Sequence, residues 1–421
     1  MSRSEPRVSG RLGDRKISNA ANGGGRRHLP PGVACPILPA FHCSRSLSYR
    51  RVLHSSVMLV TRLTLSRMRR FAEATLEPRA GVNLIVGDNG AGKTTVLEAL
   101  HLLAYGRSFR GRVRDGLVRQ GEDDLEVFVE WQEPAGSDVI TRRAGLRHSG
   151  QTWKGRLDGE DIDQIGTLCA ALAVVTFEPG SHALVSGSGE WRRRFVDWGL
   201  FHVEHEFLPQ WRRYARALKQ RNALLKANAA PAALDAWDAE LAEAGEPITS
   251  HRQRYLEHLQ TWLLPLAERL APSLGIGGLE FSPGWRRHEL SLADALLLAR
   301  ERDRAVGHTS VGPHRADWSV QFASGLGREA LSRGQAKLTA LIALLAQAQD
   351  HADETGDWPL LALDDLASEL DGQHQRRVTG WLGEIPAQVF ITATEVPAAM
   401  DAFDGPRTVF HVEHGQLLRR D

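Results

Sequence analysis

Residues 87–94 read Gly87-Asp88-Asn89-Gly90-Ala91-Gly92-Lys93-Thr94 and fit GxxxxGK[ST] without a gap. Glycines at that spacing let successive backbone N–H groups turn inward around an anion. A helix opening at Lys93 adds its positive end to the same point. In such a loop the lysine reaches the β- and γ-phosphates of ATP, and the Thr94 hydroxyl takes one Mg²⁺ position. Thr95 counts with the loop as a nucleotide contact. An acid must complete the site, and the stretch PLLALDD (359–365) supplies it. Its apolar strand delivers Asp364 to hold the metal opposite Thr94, and Asp365 to orient or deprotonate the attacking water.

A second loop, Leu331-Ser332-Arg333-Gly334-Gln335, also opens a helix and also has the chemistry to hold phosphate. One nucleotide needs one cradle, so this loop is surplus within a single subunit. Two subunits meeting head to tail give it a use. The Ser332 hydroxyl, the Gly334 backbone, Gln335 and the helix N-terminus would then cap the γ-phosphate held by the other subunit.

Elements must position these groups. GVNLIVG (81–87) reads as an apolar strand, followed by a helix with Leu97, Leu100 and Leu103 at helical spacing. Strands are expected at 125–132, 138–145 and 172–179, and again around 314–322, 359–365 and 387–394. Helices are expected at 332–351 and 372–385. Between them, from about Trp191 to Leu270, the pattern is long and helical, with Pro247 expected to kink or split it. These features predict an α/β fold in which 58–185 and 305–421 form one domain around a mainly helical insertion at 186–304.

Composition narrows the classes. The chain has 421 residues, 42% hydrophobic and 24% charged, with no apolar run long enough to cross a membrane. Its 3 cysteines form no CxxC pair and fit a reducing compartment. The net charge of +1 hides an asymmetry, because residues 1–57 hold ten basic and two acidic side chains, leaving the remainder at −7. That Arg-rich segment lacks periodicity and is read as a disordered or non-native extension, with Met58 the expected start.

The motifs carry a resemblance. Leu331–Gln335 resembles the LSGGQ signature of ABC-type ATPases, with Arg333 in place of a glycine, and ALDDLASELD resembles their Walker B strand running into the D-loop. Together with GRSFRG, RRRFVDWGLFH, LKQRNALLK and GPHRADW, these stretches resemble the RecF family, relatives of the chromosome-maintenance (SMC) heads. The resemblance implies a P-loop NTPase of the ABC/SMC-head type in the cytoplasm, with ATP and Mg²⁺ as cofactors. It implies an ATP-dependent homodimer that engages gapped or single-strand/duplex DNA. It also implies work with RecO and RecR to load RecA in DNA replication, repair and the SOS response.

Departures from transporter ATPases matter. No histidine follows the strand after Walker B, where Thr394 stands, and Asp365 replaces the usual Glu. Slow ATP turnover is therefore expected, a timer rather than a motor, and the resemblance implies a weak, DNA-dependent ATPase. A transporter subunit would need the missing histidine. A scaffold with structural ATP would show no turnover, and a phosphotransferase leaves Ser332–Gln335 without a role.

DNA contacts are expected from basic clusters: Arg107, Arg110, Arg112 and Arg114; Arg192–Arg194; and Arg212, Arg213, Arg216, Lys219 and Arg221. Trp191, Trp198 and Trp211 have the helical spacing of core residues, though indoles also stack on bases. His308, His314 and Arg315 are read as a connecting loop rather than a metal or catalytic cluster.

Overall fold

The structure, a computed structural model, describes residues 57–111, 116–135, 138–413 and 415–420. The N-terminal extension lies outside the described residues up to Ser56.

Apolar strands from distant parts of the chain assemble one six-stranded sheet. Across it run Gln416–Arg420, Arg407–Glu413, Val82–Val86, Val389–Ala393, Leu360–Leu363 and Val174–Phe177. All but the first pairing are parallel, with Leu363 beside Phe177 and Ile391 beside Leu84. A parallel sheet is covered on both faces, which explains why these strands read as continuous apolar runs. Alternation sorts their side chains. Ile85, Leu360, Ala362 and Phe390 enter one core with Leu97, Leu100 and Leu103 of the helix Lys93–Tyr105. Leu84, Leu361, Leu363 and Ile391 enter the other, with Leu338, Leu341 and Leu345 of the helix Arg333–Thr355.

A second six-stranded sheet, antiparallel throughout, covers the first core. It pairs Leu59–Met68 with Phe71–Leu76 on one side and Leu125–Ala135 on the other, and continues through Asp138–His148. Val127, Val129 and Trp131 point into that core.

The central helices are Gly189–Val203, Phe207–Lys226, Ala232–Leu270 and Leu292–Val306. Contrary to the expected break, Ala232–Leu270 runs unbroken through Pro247. Packing holds it on both sides of the proline, with Leu241, Ala244, Ile248, Tyr255, Leu259 and Leu263 all buried in the core. Arg221, which interrupts the apolar rhythm of Phe207–Lys226, is the inward-facing residue it replaces and not a surface charge. Its side chain is 0% exposed and donates to Asp303 (2.7 Å), Thr309 (2.9 Å) and Asp238.

Candidate nucleotide site

The phosphate loop sits between the central strand Val82–Val86 and the helix Lys93–Tyr105. Two glycines there are obligatory. Gly87 has φ 149°, and a Cβ on it would lie 2.4 Å from Val412 O. Gly92 has φ 122°, and a Cβ on it would lie 2.8 Å from the Phe71 ring. Lys93 curls over the loop, its Nζ donating to Gly87 O (2.7 Å) and Asp88 O (3.0 Å). Burial lowers its pKa, against the opposing charges of Asp365, Asp364 and Asp88.

The acids meet the loop at the carboxyl end of the sheet. Thr94 Oγ1 donates to Asp364 Oδ1 at 2.9 Å, and Thr392 Oγ1 donates to the same oxygen at 2.6 Å. The Asp364 carboxyl is buried, and burial raises its pKa above that of an ordinary aspartate. Asp365 adopts a left-handed backbone, φ 51°, that tips it out of the strand, and its N–H rests on Thr392 Oγ1 at 2.8 Å. Thr392 thus braces both acids. The residue singled out in the sequence at this strand end, Thr394, is exposed two positions further on.

These groups line a cleft of about 590 Å³ that also takes in Asn89, Gly90, Thr95, Arg70, Glu178 and Arg110. Its size suits a nucleotide. Its turned-in backbone, single lysine and hydroxyl–carboxylate pair fit a triphosphate and a hard, oxygen-seeking cation such as Mg²⁺.

Three side chains here correct or extend the sequence reading. Arg110, expected on a DNA face, lines this cleft, where its charge opposes the rise in the Asp364 pKa. Glu178 ends the strand beside Leu360–Leu363 and was not singled out, although an acid closing an apolar strand was visible in VVTFEP. Burial raises its pKa. Arg70 was missed because a turn residue in an antiparallel hairpin carries no periodic signal.

Ser332–Gln335 are exposed and border no part of this cleft. Ser332 caps the helix Arg333–Thr355 in a reciprocal box, with Gln335 N donating to Ser332 Oγ (3.2 Å) and Ser332 N donating to Gln335 Oε1 (2.9 Å). Among the described residues, its chain neighbours aside, no atom lies within 4 Å of where a Cβ on Gly334 would stand. Lys337, one turn on, pairs with Glu369 of the D-loop.

The basic clusters divide. Arg107 and Arg212 are exposed, Arg212 donating to Gln164 Oε1 at 2.8 Å. Arg213 is gripped by Glu240 and Glu243, and Arg192 is buried against Asp317, so neither offers a free charge to phosphate. Arg112 and Arg114 lie outside the described residues. His314 bonds Tyr214 OH (2.7 Å) and Thr309 O (3.0 Å), and no metal-ligand cluster forms among the described residues.

A glycine-rich loop, a strand-end acid pair and a capped helix on a parallel sheet are the parts of the P-loop fold of ABC-type ATPases and SMC heads. The fold agrees with the Smc head domain of Pyrococcus furiosus, at TM-score 0.53 and 16% identity over 86% of this chain and 96% of that one. It is nearer to an ATP-bound structure of the recombination mediator protein RecF of the RecFOR pathway. There the TM-score is 0.76 at 25% identity, over 87% of this chain and 98% of that one. Residues 59–417 match the RecF/RecN/SMC N-terminal domain family. The DNA replication and repair protein RecF of Xanthomonas axonopodis pv. citri is 67% identical over 364 residues, covering 86% of this chain and 99% of the relative. That of Shewanella denitrificans is 36% identical over 361 residues, again 86% and 99%. The chain belongs to the RecF family.

Proposed function

We propose that this protein is an ATP-switched DNA-binding protein of DNA replication, recombinational repair and SOS induction. Gly87–Thr95 hold ATP, Thr94 and Asp364 hold Mg²⁺, and residues 58–185 with 305–421 act as one nucleotide-binding domain around the helical lobe 186–304. Bound Mg²⁺ would supply positive charge to offset that of the triphosphate. Asp365 positions water for a slow hydrolysis that serves as a timer. A head-to-tail dimer, closed by ATP, engages single-strand/duplex junctions and works with RecO and RecR to load RecA in the cytoplasm.

The observation that carries this reading is the separation of the two phosphate-binding loops. Lys93, Thr94 and Asp364 share one cleft, whereas Ser332–Gln335 face outward with an open Gly334. A helix N-terminus left open by the described residues suits a phosphate carried by a second copy.

The test is the solution mass of the full chain with and without Mg-ATP, beside Lys93→Met and Ser332→Arg. ATP should convert monomer to dimer in the wild type alone. Lys93→Met should fail by losing nucleotide, and Ser332→Arg should fail while still binding it. Normal dimerisation of Ser332→Arg, or a wild-type mass indifferent to ATP, would sink the proposal.

A further inference from the structure

Beside the nucleotide cleft lies a second cavity, of about 440 Å³, between the turn after Lys93–Tyr105 and the helices Gly189–Val203 and Phe207–Lys226. Its walls are aromatic, with Phe109, Trp191, Trp198, Phe201 and Trp211 among them. Trp198 packs as core, 8% exposed, in line with its helical spacing. Trp191 and Trp211 do not: they are 42% and 41% exposed. Indoles normally find cover, and these two stand open on one cavity.

The charge at the cavity is equally specific. Arg107 and Arg194 both line it, and burial together with the like charge of Arg194 lowers the Arg107 pKa. Arg194 is paired with Glu190, whose charge also reaches Arg107, but among the described residues no carboxylate lies within ion-pair distance of Arg107 itself. Two acids also line the wall. Asp197 is neutralised by the Arg252 fork at 2.8 and 2.9 Å, and Glu178 accepts the Gly180 N–H. Flat aromatic walls beside an unmatched guanidinium select a ligand that is planar at one end and anionic at the other. The volume admits one such unit and excludes a stacked duplex.

We propose that this cavity takes one unpaired nucleotide of a DNA strand, its base on Trp191 and Trp211 and its phosphate on Arg107 and Arg194. This rests on the DNA-binding reading above and gives it a site for unpaired bases. Phe109 and Glu178 line both this cavity and the nucleotide cleft, so a base seated here presses on the wall of the ATP site.

The experiment compares affinities of the full chain, with Mg-ATP, for a short oligothymidylate, an abasic strand of equal length and a duplex. One stacked base should favour oligothymidylate over the abasic strand by on the order of tenfold. Trp191→Ala and Trp211→Ala should erase that preference and leave duplex affinity unchanged. Equal affinity of the unmodified chain for thymidylate and abasic strands, with duplex still bound, overturns the base site and spares the DNA-binding reading. If no DNA binds, both fall. Thymidine monophosphate binding as tightly as the oligomer would make this a free-nucleotide site and overturn the proposal. The comparison with the unmodified chain does not depend on either variant folding.

Discussion

Thr94 and Asp364 stand 270 positions apart in the chain, yet the hydroxyl of one donates to the carboxylate of the other at 2.9 Å. The parallel sheet makes the pairing, because Val82–Val86 and Leu360–Leu363 flank the same strand, Val389–Ala393, and end on the same side. Ligands of open α/β sheets bind at that edge. The shared neighbour contributes Thr392, which braces Asp364 and Asp365 together.

Thr392→Val should therefore orphan one bond to a buried carboxylate and one from the Asp365 N–H. A loss of about 1–3 kcal/mol in urea unfolding is expected, with weaker Mg-dependent ATP binding; Thr392→Ser should retain both. A valine variant equal to wild type in stability and ATP affinity would refute the bracing role.

Arg221 holds the helical lobe from inside. Arg221→Leu would leave Asp238 and Asp303 buried without their shared cation, at a cost of about 3–5 kcal/mol. Arg300 still reaches Asp238 at 2.6 Å, so Asp303 should dominate the loss. Adding Asp303→Asn should then restore part of the stability lost in Arg221→Leu, read as the urea midpoint. No recovery in the double variant would place the cost elsewhere.

Charge pairing separates neighbours in the DNA reading. Arg212→Ala should reduce the slope of log affinity against log salt by about 0.9. Arg213→Ala should leave it nearly unchanged, because Glu240 and Glu243 already match that guanidinium. Equal effects of the two substitutions would show that the pairing does not survive contact with DNA.

Four histidines are held in their neutral form, His101 and His351 buried and His202 and His314 half-buried. Burial pushes the pKa of His101 and His202 down to about 3, and of His314 and His351 down to about 4. An unfolded histidine titrates near 6.5, so the folded state binds fewer protons below that value. Stability is thus intact above about pH 6.5 and is lost as pH falls toward 4, by up to ~1.4 kcal/mol per pH unit for each histidine. Melting temperature should drop between pH 7 and pH 5, with proton uptake on unfolding. A flat profile would contradict the burial of these rings.

Much of the site was legible in the sequence because it rests on contiguous residues. Gly87–Thr94 and Leu360–Asp365 each carry their own strand and their own chemistry, and the structure puts both where those strands end. The charge runs were not legible in the same way. Arg212 and Arg213 are adjacent and identical, and their difference lies in two glutamates 27 and 30 positions away. Arg110 followed the same pattern: read as part of a basic run, it is aimed by the turn after the helix into the nucleotide cleft.

By itself the sequence determined the glycine-rich loop at Gly87–Thr94, the acid pair, the helix opening at Ser332 and the alternation of strands with helices. Each is encoded within a window of about ten residues, where backbone geometry and local hydrogen bonds decide the outcome. Only the tertiary structure decided that Arg221 is core, that Glu178 and Thr392 reach the acids, and that Trp191 and Trp211 stand open beside Arg107. Periodicity records which face of a helix is apolar, but what that face meets depends on segments far away in the chain.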